Sequence, residues 1–278
     1  MNALRIPLTV MSFNIRGAGS ETDKINHWNK RKKLNVQIIR NVDPDVIGFQ
    51  EVQYGNLATY NQYFRDEYHH ILGLNMDDGN FNPIFWKKSR LRLDSTGGIW
   101  LHPIMRSDTP ATQWGAANIR CANWVILQDI ETGISLFHIN THLDHIGEQA
   151  RYEGSRLILQ EWKKIGYQLA TIITGDFNSG HYLTRNLDFP APYTGAALEL
   201  FEEAGFIDTF LKLNKDDPRS NTFHKFRGDT YNPNDSHGQW RIDYILTKGL
   251  NPISSHKVKY AQPPLYPSDH YPIVAVLK

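Results

Sequence analysis

A chain of 278 residues with 40% apolar, 12% aromatic and 21% charged side chains can bury a substantial core and lacks the polar, highly charged bias of a disordered chain. A formal charge of +1, from 30 basic and 29 acidic residues, carries no global signature of a strong nucleic-acid binder. A single cysteine, Cys121, excludes an intramolecular disulfide and a Cys-rich zinc site, so any metal is expected on oxygen and imidazole ligands.

No Pro/Gly/Ser-rich linker or change in composition divides the sequence, so residues 1–278 read as one domain. The start, MNALRIPLTVMSFN, has no long apolar core, and nowhere do 18 consecutive apolar residues occur. A soluble, cytoplasmic chain without a membrane span is expected, with a monomer as the default.

In chain order, the apolar run Leu8 to Phe13 predicts a strand, and Leu34, Val36, Ile38, Ile39 and Val42 recur at helical spacing. The basic run Lys30 to Lys33 near the start of that helix reads as a solvated face. Asp43 and Pro44 stop the helix, and a strand over Val46 to Phe49 then delivers Gln50 and Glu51 at its carboxyl end. Further strands are predicted over Ile84 to Trp86, Trp124 to Ile130, Ile134 to Asn140, Ala170 to Thr174, Ile242 to Leu246 and Ile273 to Leu277. Glu131, Thr132 and Gly133 join two of them as a hairpin. Helices are predicted over Gly147 to Ile165 and Gly195 to Ala204. Residues 87 to 118 and 212 to 240, rich in Gly, Pro, Asn, Asp and Trp without a clear period, read as loops around a cleft.

Polar clusters interrupt or adjoin these strands: NIRG at 14 to 17, QEV at 50 to 52, NTHLDH at 140 to 145, GDFNS at 175 to 179, RIDYIL at 241 to 246 and SDHYP at 268 to 272. At a strand end side chains can converge without filling the core. Taken singly, each has a bland reading: Glu51 pairs with an arginine, GDFN is a turn, and a lone histidine is structural. In GDFN a glycine permits a tight turn, after which Asp176 and Asn178 alternate outward around a buried Phe177. Asp243, between Ile242 and Tyr244, is expected to be half buried and so to need a hydrogen-bond partner, for which a histidine is the obvious candidate.

In this order, the motifs SFNIRG, QEV, NTHLD, GDFN, RIDYI and SDH resemble the endonuclease/exonuclease/phosphatase superfamily over residues 11 to 277, and look most like its deadenylase-like branch and the bacterial relatives of that branch. The resemblance implies an α/β (α+β) fold, a four-layer αββα sandwich of two packed, mostly antiparallel sheets flanked by helices. It also implies a divalent-metal-dependent phosphoester hydrolase. Asn14, Glu51 and Asp269 would hold the cation, Asp176 would orient or deprotonate the attacking water, and Asn178 would position the water and the phosphate. His142 would contact a nonbridging oxygen, and His270, steered by Asp243, would stabilise developing charge.

A carboxylate-rich set with few histidines suits Mg²⁺ or Mn²⁺ rather than structural zinc. Arg120, Arg151 and His145 are further candidates for substrate contact, the two arginines through bidentate pairing with phosphate. His224, Trp86, Trp100 and Trp114 are candidates to line the cleft and are assigned no catalytic role. Residues 227 to 240 could gate the pocket.

Two branches fit less well. Exonuclease III and apurinic endonucleases carry a tyrosine where His142 stands and a YVPNG pattern that this chain lacks. Secreted sphingomyelinases and deoxyribonuclease I carry signal peptides and usually disulfides. The expected partner is a phosphorylated substrate, either single-stranded nucleic acid or a small phosphoester such as a sugar phosphate. A noncatalytic phospho-ligand-binding member would have lost a metal or base residue, and two-carboxylate glycoside hydrolysis would need no metal.

Overall fold

The computed structural model describes residues 7–19, 24–76, 79–180, 195–232 and 241–278. Strand β1 (Leu8–Asn14), helix α1 (Trp28–Val42) and strand β2 (Val46–Gln50) form the first unit. They are followed by α2 (Tyr54–Phe64), β3 (Tyr68–Ile71), β4 (Ile84–Lys87), β5 (Leu91–Trp100) and β6 (Cys121–Asp129). Next come β7 (Ser135–His142), α3 (Glu148–Ile165), β8 (Ala170–Asp176), α4 (Ala196–Glu203), β9 (Ile207–Asp208) and α5 (Thr209–Leu213). The chain closes with β10 (Asp243–Lys248), β11 (Pro252–Lys257) and β12 (Ile273–Leu277).

The strands form two six-stranded sheets, ordered β11-β12-β1-β2-β4-β3 and β5-β6-β7-β8-β10-β9. Each contains one parallel pair, β1 with β2 and β7 with β8, and the intervening α1 or α3 is the crossover that parallel pairing requires. The other pairings are antiparallel. A parallel pair points both carboxyl ends the same way, so NIRG and QEV leave one rim of the first sheet and NTHLDH and GDFN leave one rim of the second.

Side-chain alternation divides the apolar residues into three cores. Val10, Val46, Val125, Ile172 and Ile245 fill the space between the sheets. Their chain neighbours Met11 and Ile47 pack outward with Ile38 and Ile39 of α1 and Leu57 and Tyr60 of α2, while Ile173 and Tyr244 pack outward with Leu157, Ile158 and Trp162 of α3 and Phe201 of α4. Three cores between four layers are the expected αββα sandwich. Trp86 lies in the core between the sheets. Helix α1 ends at Asp43, left-handed at φ 50°, whose N–H reaches the Ile39 carbonyl, and Pro44 follows.

Near the rim the inter-sheet contact changes from apolar to polar. Asn140 Nδ2 donates to the carbonyls of Phe49 (2.7 Å) and Pro83 (3.0 Å) in the first sheet. Its Oδ1 accepts from Gln50 Nε2 (2.7 Å) and Thr174 Oγ1 (3.0 Å), and the ring of His138 lies 2.8 Å from the same Thr174 oxygen. The sheets approach so closely that a Cβ on Gly48 would lie 1.9 Å from Thr174 Oγ1 and 2.6 Å from Asn140 Oδ1.

Residues 87 to 118 contain a strand where a loop was predicted. The ten-residue β5 pairs along its length with β6, with a register shift between Leu93 and Ser95. Its sequence, LRLDSTGGIW, shows no sustained alternation, because β5 is a sheet edge and residues 92–96 face solvent. Among the described residues no helix is long and apolar enough to cross a membrane.

Gly48→Ala should destabilise the fold by roughly 1–3 kcal/mol or more, the cost of overpacking, and lower the urea midpoint at unchanged m-value. A wild-type midpoint would contradict so close an approach. Burial drives the His138 imidazole down from 6.5 to about 3, so the folded protein holds it neutral. Its contribution to stability is complete above pH 6.5 and is lost as the pH falls toward 3, because there the unfolded chain binds the proton and the folded one does not. Between pH 7 and pH 5 this amounts to about 2 kcal/mol. Because Asp176, raised to about 7, contributes with the opposite sign over the same window, the measure is the wild type less His138→Gln, whose difference in urea-derived stability should shift by about this amount from pH 7 to pH 5.

Candidate active site

The register of the second sheet assembles the site. His142 on β7 lies opposite Asp176 on β8, and Asp176 lies opposite Asp243 on β10, giving one row across three adjacent strands. Asn140 and Thr174, two residues earlier, face the first sheet, so by period 2 His142 and Asp176 do as well. From the end of β1, Asn14 Nδ2 donates to Asp176 Oδ2 at 2.9 Å and to Glu51 Oε1 at 3.0 Å, so one amide ties the carboxylates of both sheets together. Asp176 Oδ2 also lies 3.5 Å from His142 Nε2 and 3.8 Å from His270 Nε2.

The chain turns sharply after three of these strands. Arg16, Glu51 and Asn178 adopt φ of 52°, 60° and 47°, left-handed values that cost non-glycine residues about 1–2 kcal/mol each. Hydrogen bonds offset that cost. Asn178 N–H donates to Asp176 Oδ1 at 3.0 Å, and its Nδ2 donates to His142 Nε2 and to the Leu143 carbonyl, each at 3.0 Å. In this conformation Asn178 orients His142. Arg31, taken from the sequence as part of a solvated basic face, is instead fully buried. Its guanidinium donates to the carbonyls of Ile15 (2.5 Å), Arg16, Gly17 (2.6 Å) and Pro267 (3.0 Å), stitching the loop after β1 to the segment bearing Asp269 and His270. It recurs at helical spacing with Trp28 and Leu34, which was the available signal.

His270 Nδ1 lies 2.9 Å from Asp243 Oδ2. Burial disfavours the imidazolium, but the charge and hydrogen bond of Asp243, with Asp176 and Asp269 beyond, outweigh it and raise His270 to about 10. Burial and the Asp243 charge push the Asp176 carboxyl up to about 7 against the opposing pull of His270 and Asn14. His142 moves the other way: burial, Arg120 and His270 hold it well below 6.5 and hence neutral. The row therefore contains a neutral imidazole, a carboxyl of raised basicity and an imidazolium–carboxylate pair.

Glu51 and Asp269 face each other across the Arg16 guanidinium, which is 3.9 Å from Glu51 Oε2 and 3.8 Å from Asp269 Oδ2. Asn14 presents N–H groups to the carboxylates while its Oδ1 accepts from Arg16 N–H, so the oxygens here that could receive a cation are those of Glu51 and Asp269. That oxygen set fits Mg²⁺ or Mn²⁺. Asp176, Asp243 and His270 also offer ligand atoms within 4.8 Å of one another, a second acidic group able to hold a cation. The proton that His270 carries for Asp243 leaves its nitrogens as donors, so this trio reads better as a hydrogen-bonded relay.

Glu51, His142, Asp176, Asn178, Asp269 and His270 line a cleft of about 360 Å³ together with Arg120, His145 and Phe223, while Asn14 and Asp243 stand behind its wall. The remaining candidates lie elsewhere. Arg151 is fully buried, with its guanidinium on Glu148 Oε2 (2.6 Å) and the Asp144 carbonyl (2.8 Å), so its expected contact with a phosphate does not hold: the anchor of α3 takes its charge. His224 is buried against the Tyr271 ring at 4.0 Å. The described wall of the cleft includes none of Trp86, Trp100 and Trp114. Residues 233–240 of the expected gate lie outside the described residues. Sequence reasoning also missed Arg16 and Asp144. Asp144 accepts from four backbone N–H groups, those of Ala117, Asn118, Ile146 and Gly147, and an aspartate three residues before a helix-starting glycine was the readable signal.

Comparison with known proteins agrees with this geometry. Residues 11–270 match the Endonuclease/Exonuclease/phosphatase family, and the chain belongs to it. Members of that family are phosphoester hydrolases. No curated protein matches the chain. Among solved structures, an endonuclease/exonuclease/phosphatase from Bacteroides vulgatus is similar at 25% identity and TM-score 0.81, with 99% of each chain covered. A mannosyl-6-phosphatase from Bacteroides thetaiotaomicron is similar at 25% identity and TM-score 0.77, with 98% of this chain and 99% of that one covered. The human Nocturnin catalytic domain with bound sulfate shares the fold at 20% identity and TM-score 0.73, over 98% and 93% of the two chains.

Asp243→Asn should remove the principal anion holding the His270 proton, so that the imidazole titrates well below the wild-type value of about 10. Long-range ¹⁵N–¹H imidazole spectra across pH would follow this. A His270 still protonated at pH 8.5 in the variant would assign the charge to some other partner.

Proposed function

We propose that the chain is a divalent-cation-dependent hydrolase of small phosphorylated molecules. The observation that carries this reading is the convergence on Asp176, at one strand rim, of His142, His270 and Asn14 from three other segments, with Glu51 and Asp269 facing the same cleft.

Glu51 and Asp269 would hold the cation, with Asn14 fixing Glu51 in place. Bound there, a divalent cation supplies positive charge against the phosphoryl oxygens. Asp176, made more basic by burial, takes a proton from the attacking water, and Asn178 and His142 set the direction of that attack through their shared hydrogen bond. His270, oriented and kept charged by Asp243, donates from Nε2 to an oxygen on which charge develops. Arg120 and His145 line the remote wall and meet the rest of the substrate.

The size of the substrate is supported by the cleft, whose volume of about 360 Å³ lies in the range of small-ligand sites. The similarity to a mannosyl-6-phosphatase over nearly the whole chain favours a phosphomonoester of sugar type over a nucleic acid.

A panel of phosphomonoesters and phosphodiesters, assayed with Mg²⁺ or Mn²⁺, tests the proposal. Asp176→Ala and His270→Ala should each lose on the order of 100-fold in turnover, the scale for removing a general base or a charge-stabilising donor. A chelator should abolish activity. Comparable turnover in both variants would refute the assigned site, and activity that survives the chelator would refute the cation requirement.

A further inference from the structure

We propose that Arg120 and His145 form a second anion subsite in the cleft, selecting substrates that carry an additional acidic group on the leaving side, remote from the phosphate that is cut. The inference rests on the hydrolase reading above and narrows its substrate class to phosphomonoesters with two separated anionic groups.

Position comes first. The reacting row runs from Asp243 on β10 through Asp176 on β8 to His142 on β7, and β6 is the next strand. Arg120 immediately precedes β6, whose Ala122 pairs with Thr141, the residue before His142. That register sets Cys121 opposite His142 and Arg120 one residue beyond it, in the wall of the cleft, with its backbone two strand spacings from Asp176 or on the order of 10 Å. That offset puts Arg120 beyond His142 from Asp176, a position that suits a second group of a sugar-sized molecule.

Charge comes second. Arg120 is buried, with 7% of its side chain exposed, yet its polar contacts are weak. Nη2 lies 3.4 Å from His145 Nδ1, Nε lies 3.8 Å from Asp144 Oδ2, and Nε has no hydrogen-bond partner. Asp144 supplies a counter-charge but no hydrogen bond to Arg120, since its two oxygens accept the four backbone N–H groups of Ala117, Asn118, Ile146 and Gly147. A buried guanidinium whose Nε makes no hydrogen bond keeps donor capacity that an anion in the cleft would satisfy.

Donor chemistry comes third. At the exposed rim, His145 accepts from Arg120 at Nδ1, which places its own proton on Nε2. Both side chains therefore present N–H donors, a wall that suits a phosphate or carboxylate and leaves a cationic group without a partner. The wall is also preorganised: Asp144 pins the 117–118 and 146–147 segments on either side of it, so little ordering cost remains for a ligand.

Calorimetry with chelator present, which prevents turnover, tests this with glucose 6-phosphate and glucose 1,6-bisphosphate as probes. The wild type should bind the bisphosphate about tenfold or more tightly than the monophosphate, as expected of one charge-assisted bidentate contact. Arg120→Gln should remove that preference. Arg120→Lys should keep part of it, since the charge stays and the fork is lost. His145→Ala, at an exposed position, should reduce the preference if the Arg120 variants fail to fold. Equal affinity of the wild type for both probes, or a preference that survives in Arg120→Gln and His145→Ala, would overturn the subsite. Turnover of glucose 6-phosphate with Mn²⁺ is scored separately. A wild type that hydrolyses it but binds without preference loses the subsite and keeps the hydrolase reading, and one that binds with preference but hydrolyses neither probe does the opposite.

Discussion

The close approach of the two sheets at Gly48 is the constraint on which the site depends. At the usual spacing of about 10 Å between stacked sheets, Asn14 of one sheet meets Asp176 of the other only when both side chains point directly across the gap, so the rim has little tolerance in spacing or register. Toward the rim the Asn140 amide, shared with Gln50 and Thr174 and bonded to two carbonyls of the first sheet, draws the layers together, and the absence of a side chain at Gly48 makes room. Two residues further along β1 and β8, Asn14 and Asp176 are then 2.9 Å apart. The polar contact sets register and separation where a greasy interface would leave both loose.

Directionality does the rest. Each sheet has one parallel pair with its crossover helix on the outer face, so four motif-bearing strand ends point to one rim. RIDY and SDH reach the same rim from the other direction, because β10 and β12 run antiparallel to β8 and β1 and carry their motifs at their amino ends. The charges gathered there are buried and would be prohibitive singly. They balance in local groups, His270 with Asp243 and Arg16 with Glu51 and Asp269, while His142 stays neutral. Arg120 has Asp144 at 3.8 Å and an Nε with no hydrogen-bond partner.

Much of this was legible in the chain. Strands flanked by hydrogen-bonding clusters declared themselves by apolar runs, and Asp43–Pro44 ended α1 where expected. The ordered motifs identified the family before any geometry was known. The misses have two causes. β5, with solvent on one side, had no need of the apolar alternation that marks a half-buried strand. Arg31 and Arg151 look like surface or ligand-binding arginines because sequence gives their charge but not which backbone carbonyls surround them.

The family resemblance of the ordered motifs carried the four-layer class, and the sequence by itself determined most of the strands, the helices α1, α3 and α4, and the inventory of the rim: carboxylates, amides and imidazoles at strand ends, with the types that phosphoester chemistry requires. Residue type and local period are sufficient for those. Only the tertiary structure decided how the inventory is divided: which imidazole is charged and which neutral, that Asn14 presents N–H groups rather than an oxygen, and that Arg120 lines the cleft while Arg151 anchors a helix. Protonation and partner choice depend on distances between residues far apart in the chain, here 162 residues between Asn14 and Asp176, and no local pattern encodes them.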